Sequence, residues 1–351
     1  MTRGWQLVVV AALVGASLSG CGDGNDAPRA DASADGSTQS QVARGQYIMN
    51  VLAQCTFCHT PLRPDGTRDL DKLLAGVDCF VDIDSPTFTD NGNGTGCIST
   101  RNLTNHSTGL KNATDEQIKN AFRNGIRTDG KKLAPIMPYW VFHNMTDADA
   151  DAIVAYLRTV PGIDHTVKPN EAPWSMYNDG QIPQVPFADP AEIPMPRGGV
   201  NNASAMRGRY LSGMAGLCID CHTPETAPGS FVLDFTMSYA GGRVFPKGAL
   251  GLLDPTYPDF IMTRNITPDA TGLDGWTRDQ IKSSIAIGKD TDGKAVCAAT
   301  HGGVISPYAG LEPQDLEDIV EYIFSLPPLV NDTVTCQAPG CGNCQGPPVQ
   351  Q

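Results

Sequence analysis

Apolar positions along the chain are interspersed with polar ones in patterns that predict short helices and few strands. The helical segments fall into two groups, one before residue 165 and one after residue 203. The last helix of each group places apolar side chains among acidic residues and is stopped by proline. The loops between the helices are rich in glycine, aspartate and proline. The pattern therefore predicts a mainly α protein.

Helix ends carry recognisable signals in both groups. The first helix of each group begins near Arg44 or Arg207 and is predicted to carry a cysteine pair towards its end. The second helix begins with a capping box and ends at a glycine, which readily takes the left-handed conformation. These signals are Thr114 with Gln117 and Gly125 in the first group, and Thr277 with Gln280 and Gly288 in the second.

The two groups are copies of one sequence. Residues 44–61, RGQYIMNVLAQCTFCHTP, match residues 207–224, RGRYLSGMAGLCIDCHTP, in register. Further matches keep equal distances from His59 and His222. Chance does not preserve register over such a length, so the chain contains a tandem duplication. The matched pairs are Asn102 and Asn265, Gly109 and Gly272, Gln117 and Gln280, and Gly125 and Gly288.

The duplication and the shifts in composition divide the chain into six predicted segments. Seven prolines between the copies predict an extended, stiff linker that lies over both domains. The segments are a signal peptide (1–20), a disordered tether (21–41), a first domain (42–164), a Pro-rich linker (165–203), a second domain (204–328) and a Cys-rich tail (329–351).

The amino terminus has the features of an exported, lipid-anchored protein. Arg3 precedes an apolar run, LVVVAALVGASL, that is too short to span a bilayer. The run leads into LSGC, which resembles the lipobox of bacterial lipoproteins, so Cys21 is predicted to be lipidated. An ordinary secretory signal is the alternative. We expect the protein on the periplasmic side, and Gly22 favours anchoring in the outer membrane.

Charge narrows the class of partner. With 38 acidic and 25 basic residues, the chain has a formal charge of −13 at neutral pH. Such a surface repels nucleic acid, so no nucleic-acid partner is expected. It suits redox protein partners with basic docking patches, although acidity also serves solubility alone. No other apolar run approaches membrane-spanning length, so membrane contact is expected only through the lipid anchor.

Two pentapeptides carry the chemistry. CTFCH at 55–59 and CIDCH at 218–222 have the spacing of c-type haem attachment sites. Their cysteines reach the two vinyl groups of one haem, and the adjacent histidine binds the iron. A thioredoxin-like pair would need a βαβ context, and a zinc site would need a partner cysteine pair. We predict two covalently bound haem c groups, attached at Cys55, Cys58, Cys218 and Cys221, with iron ligands His59 and His222.

Both copies resemble class I cytochrome c domains. The most specific parts are NITPD, TGL and a tryptophan within 265–276, and APIMPY at 134–139. The resemblance spans 42–328 and is to tandem dihaem cytochromes and to cytochrome subunits that accept electrons from periplasmic dehydrogenases. It implies a mainly α fold of two tandem class I cytochrome c domains with loop-rich insertions, joined by the Pro-rich linker.

The resemblance also implies a distal iron ligand on the loop before the last helix. In the first domain this ligand is Met137, which lies 78 residues after His59. Thioether sulfur favours ferrous iron, so a haem with methionine and histidine ligands usually has the higher reduction potential.

The second domain lacks an equivalent methionine. The position 78 residues after His222 is Thr300, and no methionine follows Met262. The ligand window is three residues longer in this copy, so His301 falls within it and is predicted to be the ligand. The alternatives are a vacant position, Met262, Cys297, or a linker methionine, Met176 or Met195.

Six of the eleven cysteines remain after haem and lipid attachment, and an oxidising compartment favours disulfides. Cys79 and Cys97 bracket one loop and are predicted to pair. The other four allow three pairings, of which we favour one that joins the tail to the loop before His301. They are Cys297, Cys336, Cys341 and Cys344.

The sequence favours an electron-transfer protein over an enzyme, since no catalytic acid, base or substrate pocket can be identified. The predicted function is single-electron transfer between a donor, such as a dehydrogenase, and an acceptor. A dihaem peroxidase-like enzyme is the alternative, with His301 as a displaceable ligand or a distal acid/base at the second haem. A haem sensor is disfavoured because no output domain follows.

Overall fold

The computed structural model describes residues 38–64, 67–82, 96–246, 260–293, 296, 301 and 307–333. These residues belong to one compact unit. Helices dominate it, and short strand pairs lie between them. Within the described ranges, no helix has both the length and the apolar character that a membrane span requires.

The amino-terminal half, residues 38–164, is built from helices around one antiparallel strand pair. Its first helix continues directly into a π-helical turn, Ile48–Leu52. The strands pair Val77 with Thr100 and Asp82 with Cys97. The elements are α1 (Thr38–Tyr47), α2 (Cys55–His59), β1 (Val77–Asp82), β2 (Cys97–Thr100), α3 (Asp115–Asn124), α4 (Tyr139–Phe142) and α5 (Asp147–Thr159).

The carboxyl-terminal half, residues 203–333, has a similar order of elements. Its strands pair Val244 with Met262 in an antiparallel arrangement. Both strand pairs lie in Gly- and Asp-rich loops, where few strands were expected from the sequence. The remaining elements are α6 (Trp174–Asn178) between the halves, then α7 (Ala203–Gly213), α8 (Cys218–His222), β3 (Val244–Pro246), β4 (Phe260–Met262), α9 (Arg278–Ala286) and α10 (Pro313–Ser325).

The connecting segment, residues 165–202, packs against both halves. Its Trp174 is fully buried, and its Asn170 accepts a hydrogen bond of 2.9 Å from the backbone of β2. On the other side, Arg209 of α7 donates to the carbonyl oxygen of Ile193 at 2.9 Å. The prolines of this segment predict an extended linker. The segment contains the short helix α6, so it is not extended throughout.

A glycine at each main helix crossing allows close packing of the first and last helices. An added Cβ on Gly45 of α1 would lie 1.9 Å from the carbonyl oxygen of Ala152 in α5. An added Cβ on Gly208 of α7 would lie 1.9 Å from the carbonyl oxygen of Asp318 in α10. No side chain fits at such distances, so the backbones meet directly in both halves.

The capping predictions for the second helix of each half are confirmed. In α3 the Thr114 backbone donates to Gln117 at 2.9 Å, and the Gln117 backbone donates to Thr114 at 3.2 Å. The same reciprocal pair begins α9. The terminating glycines, Gly125 and Gly288, have φ values of 68° and 67°, the left-handed conformation that ends a helix.

Two helix predictions need correction. Helix α1 begins at Thr38, inside the segment 21–41 that was predicted to be a disordered tether. An exposed first helical turn needs no apolar side chains, so the polar composition of residues 38–41 did not indicate a helix. The cysteine pairs do not end the first helices but lie on separate short helices, α2 and α8. In the first half, Gln54 takes a left-handed φ of 53° and so interrupts the helix.

The two halves are joined by reciprocal tyrosine–aspartate contacts. The Tyr47 hydroxyl of α1 donates to Asp315 of α10 at 2.9 Å. In turn, the Tyr210 hydroxyl of α7 donates to Asp149 of α5 at 2.7 Å. Each half thus supplies one phenol and one carboxylate to the other, which fixes the orientation of the halves.

Candidate cofactor site

Both pentapeptides line one cavity of about 1070 Å³. This volume exceeds the roughly 300–1,000 Å³ of ordinary small-molecule pockets. The wall combines aliphatic and aromatic side chains with a few polar groups, including guanidinium groups. All the pentapeptide cysteines and histidines line the cavity, and so do the third residues, Phe57 and Asp220. The cysteines and histidines are Cys55, Cys58, His59, Cys218, Cys221 and His222.

The cysteines of each pentapeptide lie on one helical turn, where positions three apart share a face. All four are of intermediate exposure, and none takes part in a disulfide. Burial raises the pKa of Cys55 and Cys218 to about 12 and that of Cys58 to about 11. A thioredoxin-like cysteine has a lowered pKa instead, so the thiols do not have the environment of a redox-active pair.

Each pentapeptide histidine is held by a backbone carbonyl. His59 Nδ1 lies 2.8 Å from the carbonyl oxygen of Arg101, and His222 Nδ1 lies 2.8 Å from that of Arg264. Because a carbonyl only accepts, Nδ1 carries the proton and Nε2 keeps the lone pair that can bind iron. Burial lowers the pKa of His59 to about 4 and also lowers that of His222. Both rings are therefore neutral at pH 7, the form that binds metals.

The asparagine after each of these arginines fixes the carbonyl in place. Asn102 donates to the Ile163 carbonyl at 2.9 Å and accepts from the Thr104 backbone at 2.9 Å. Asn265 makes the corresponding bonds at 2.8 Å and 2.9 Å. Sequence reasoning gave these residues no role. Their signal was the TRN sequence at the same distance from both histidines.

Arginines supply positive charge to the cavity wall. Arg101 and Arg127 both line it. Burial, and then the nearby Arg127, lower the pKa of Arg101 to about 10, so it stays charged at neutral pH. Arg127 pairs with Asp129 at 2.7 Å, whereas Arg101 has no ion pair within the described ranges. A cofactor bearing carboxylates, as haem does, would supply the missing partner. The wall therefore fits haem.

The predicted distal ligands also lie in the cavity wall. Met137 lines it just before α4, with its carbonyl accepting from the Tyr139 backbone at 2.7 Å. The His301 and His222 rings face each other with centroids 5.9 Å apart and planes tilted by 53°. Burial, and then His222, lower the pKa of His301 to about 4. His301 Nδ1 is buried, and no hydrogen-bond partner lies near it among the residues that the structure describes.

Residues 42–161 match the cytochrome c family. They form a cytochrome c domain. Such a domain implies covalently bound haem c, and the matched range contains the first pentapeptide.

Relatives extend the similarity across most of the chain. The cytochrome c subunit of a quinone alcohol dehydrogenase from Gluconacetobacter polyoxogenes is 30% identical over 294 residues, 82% of this chain and 56% of the relative. A fructose dehydrogenase cytochrome subunit from Gluconobacter japonicus is 34% identical over 197 residues, 52% and 35% of the respective chains. A diheme cytochrome c-type protein from Cereibacter sphaeroides is 22% identical over 319 residues, which cover 85% of this chain and 96% of the relative. The chain spans about half the length of the alcohol dehydrogenase subunit.

The alternative candidates for the second distal ligand differ in whether they line the shared cavity. Met262, at the end of β4, lines the cavity together with His301. Met176 is on α6 and is not among the described cavity-lining residues. Met195 is 49% exposed. Cys297 lies outside the described residues.

Of the remaining cysteines, two lie within the described residues and form a disulfide. Cys79 and Cys97 form a disulfide that joins β1 to β2 within the cytochrome c domain. The lipidation candidate and the tail cysteines, with their predicted pairing, fall outside the described residues. These are Cys21, Cys336, Cys341 and Cys344.

Proposed function

We propose that this chain is a dihaem c-type cytochrome of two tandem cytochrome c domains, which transfers single electrons from a dehydrogenase to an acceptor. The observation that carries the proposal is the single cavity lined by both pentapeptides and their histidines. The printed descriptions of the relatives, cytochrome c subunits of alcohol and fructose dehydrogenases, support it. They favour a carrier over the peroxidase alternative.

Each group in the cavity has a role in holding the cofactor. Haem iron supplies reversible one-electron oxidation and reduction. The four pentapeptide cysteines would form the covalent links, and the two pentapeptide histidines would bind iron through Nε2. Met137 and His301 would supply the remaining iron ligands. The apolar wall limits access of water, which keeps the ligands in place and discourages side reactions.

A short series of contacts connects the two sites. The side chain of Gln54, next to the first attachment cysteine, lies near the Tyr308 hydroxyl. The Tyr308 ring stacks on His301, with centroids 5.1 Å apart and planes 18° from parallel. His301 in turn faces His222. These contacts support direct electron transfer between the sites within one chain.

The charge and the amino terminus support a proposal for partner and location. A formal charge of −13 favours transient, salt-sensitive docking to basic patches on redox proteins. The signal-like amino terminus with Cys21 supports a periplasmic protein tethered by lipid, with the outer membrane favoured.

Low-temperature EPR of the fully oxidised protein tests the carrier function. We expect two low-spin ferric signals, one of Met/His and one of His/His character, and negligible turnover of hydrogen peroxide. A high-spin signal from one haem together with rapid peroxide turnover would overturn the carrier proposal in favour of the peroxidase.

The variant His301→Ala tests the second distal ligand. We expect it to convert only the second low-spin signal to high spin, because the other haem keeps both ligands. The matched control is His106→Ala, since His106 hydrogen-bonds Thr108 at 2.9 Å and is not a cavity-lining residue among those described. It should leave both signals unchanged. An unaltered spectrum for His301→Ala would assign the ligand to another residue, with Met262 tested next.

A further inference from the structure

The two pentapeptides differ in charge at their third position. This residue is Phe57 in the first and Asp220 in the second. In the first half the guanidinium of Arg68 lies 4.4 Å from the centroid of the Phe57 ring. Arg68 also donates to the Thr60 carbonyl, one residue beyond the pentapeptide, at 2.9 Å. The Arg68 guanidinium therefore lies against the first attachment site.

The second attachment site carries a buried cluster of one cation and two carboxylates. Arg243, which is 5% exposed, forms an ion pair with Asp220 and donates to the Asp220 carbonyl at 2.6 Å. It also pairs with Glu225 at 3.2 Å. Burial raises the pKa of Glu225, whereas Arg243 and a hydrogen bond of 2.6 Å from the Gly229 backbone favour its ionised form.

Charge of opposite sign at the two sites has a direct redox consequence. Reduction adds an electron to the iron, so a nearby negative charge disfavours the reduced form and a positive charge favours it. All three members of the cluster are largely buried, with side-chain exposures of 5%, 14% and 9%. Solvent and salt therefore screen them weakly.

We propose that Asp220 and Glu225 lower the reduction potential of the haem at the second attachment site, whereas Arg68 raises that of the haem at the first. One electron then passes from the second site to the first, and no bond forms or breaks. The second site is the entry point from the donor, and the first is the exit. This inference rests on the proposed function, because it requires a haem at each site.

The test is a potentiometric titration of the purified holoprotein, followed by EPR so that each haem is measured separately. Asp220→Asn should raise the potential of the His/His haem and leave that of the Met/His haem nearly unchanged. Glu225→Gln should shift the same haem in the same direction. Arg68→Gln should instead lower the potential of the Met/His haem.

The matched control is Asp279→Asn in α9, whose carboxylate is 92% exposed and should affect neither potential. The inference is overturned if Asp220→Asn and Glu225→Gln leave the second potential unchanged, or shift both potentials equally. In that case two haems and two low-spin signals would still support the carrier function. A parent protein with a single haem would overturn both proposals.

Discussion

Replacing both Cys218 and Cys221 with alanine should halve the covalently bound haem, from two groups per chain to one. These thiols are the only attachment points that we propose for the second haem, and both line the shared cavity. The first pentapeptide would keep its own cysteines. Haem content per chain, measured by the pyridine haemochrome method, and the intact mass of the denatured protein would give the stoichiometry.

Two further variants make this result specific. Replacing Cys55 and Cys58 should give the same loss from the other site. Replacing the disulfide pair, Cys79 and Cys97, should leave the haem content unchanged. Two covalent haems in the Cys218/Cys221 variant, or one haem in the parent protein, would contradict the tandem dihaem assignment.

Asp315→Ala should lower the free energy of unfolding of the holoprotein by about 2 kcal/mol, towards the lower end of the roughly 1.5–3 kcal/mol that a hydrogen bond to a charged group contributes. Asp315 is 1% exposed and accepts from Arg207 at 2.6 Å and from the Tyr47 hydroxyl at 2.9 Å. Its removal leaves that hydroxyl without its acceptor. Arg207 keeps a second partner, Asp318, at 3.1 Å, so the lower end of the range applies.

Chemical denaturation followed by haem absorbance and by tryptophan fluorescence would measure this change. The control is Asp71→Ala, because Asp71 is 90% exposed and pairs with Arg63 at 3.1 Å. A surface pair of this kind contributes at most about 1 kcal/mol. Equal losses for the two variants would show that the buried contact between the halves adds no more to stability than a surface pair does.

Several features of this protein could be predicted because their physical cause lies within a few consecutive residues. Two cysteines and a histidine in five positions define a haem attachment site without reference to the fold. A capping box needs only Thr114 and Gln117 on one turn, and it formed as predicted. The cysteine pair was wrongly predicted to end the first helix. The left-handed backbone at Gln54 separates the cysteines from that helix, and no local sequence signal marks it.

The sequence by itself determined the mainly α character, the internal repeat and the two Cys-x-x-Cys-His pentapeptides, because each depends on spacing along the chain. Only the tertiary structure decided which distant groups meet. It joined both pentapeptides in one cavity, supplied the Arg101 and Arg264 carbonyls to the histidines, and brought His301 to face His222. It also assembled Arg243 with two carboxylates at the second pentapeptide. Such contacts depend on how helices pack across the whole unit, which no local pattern specifies.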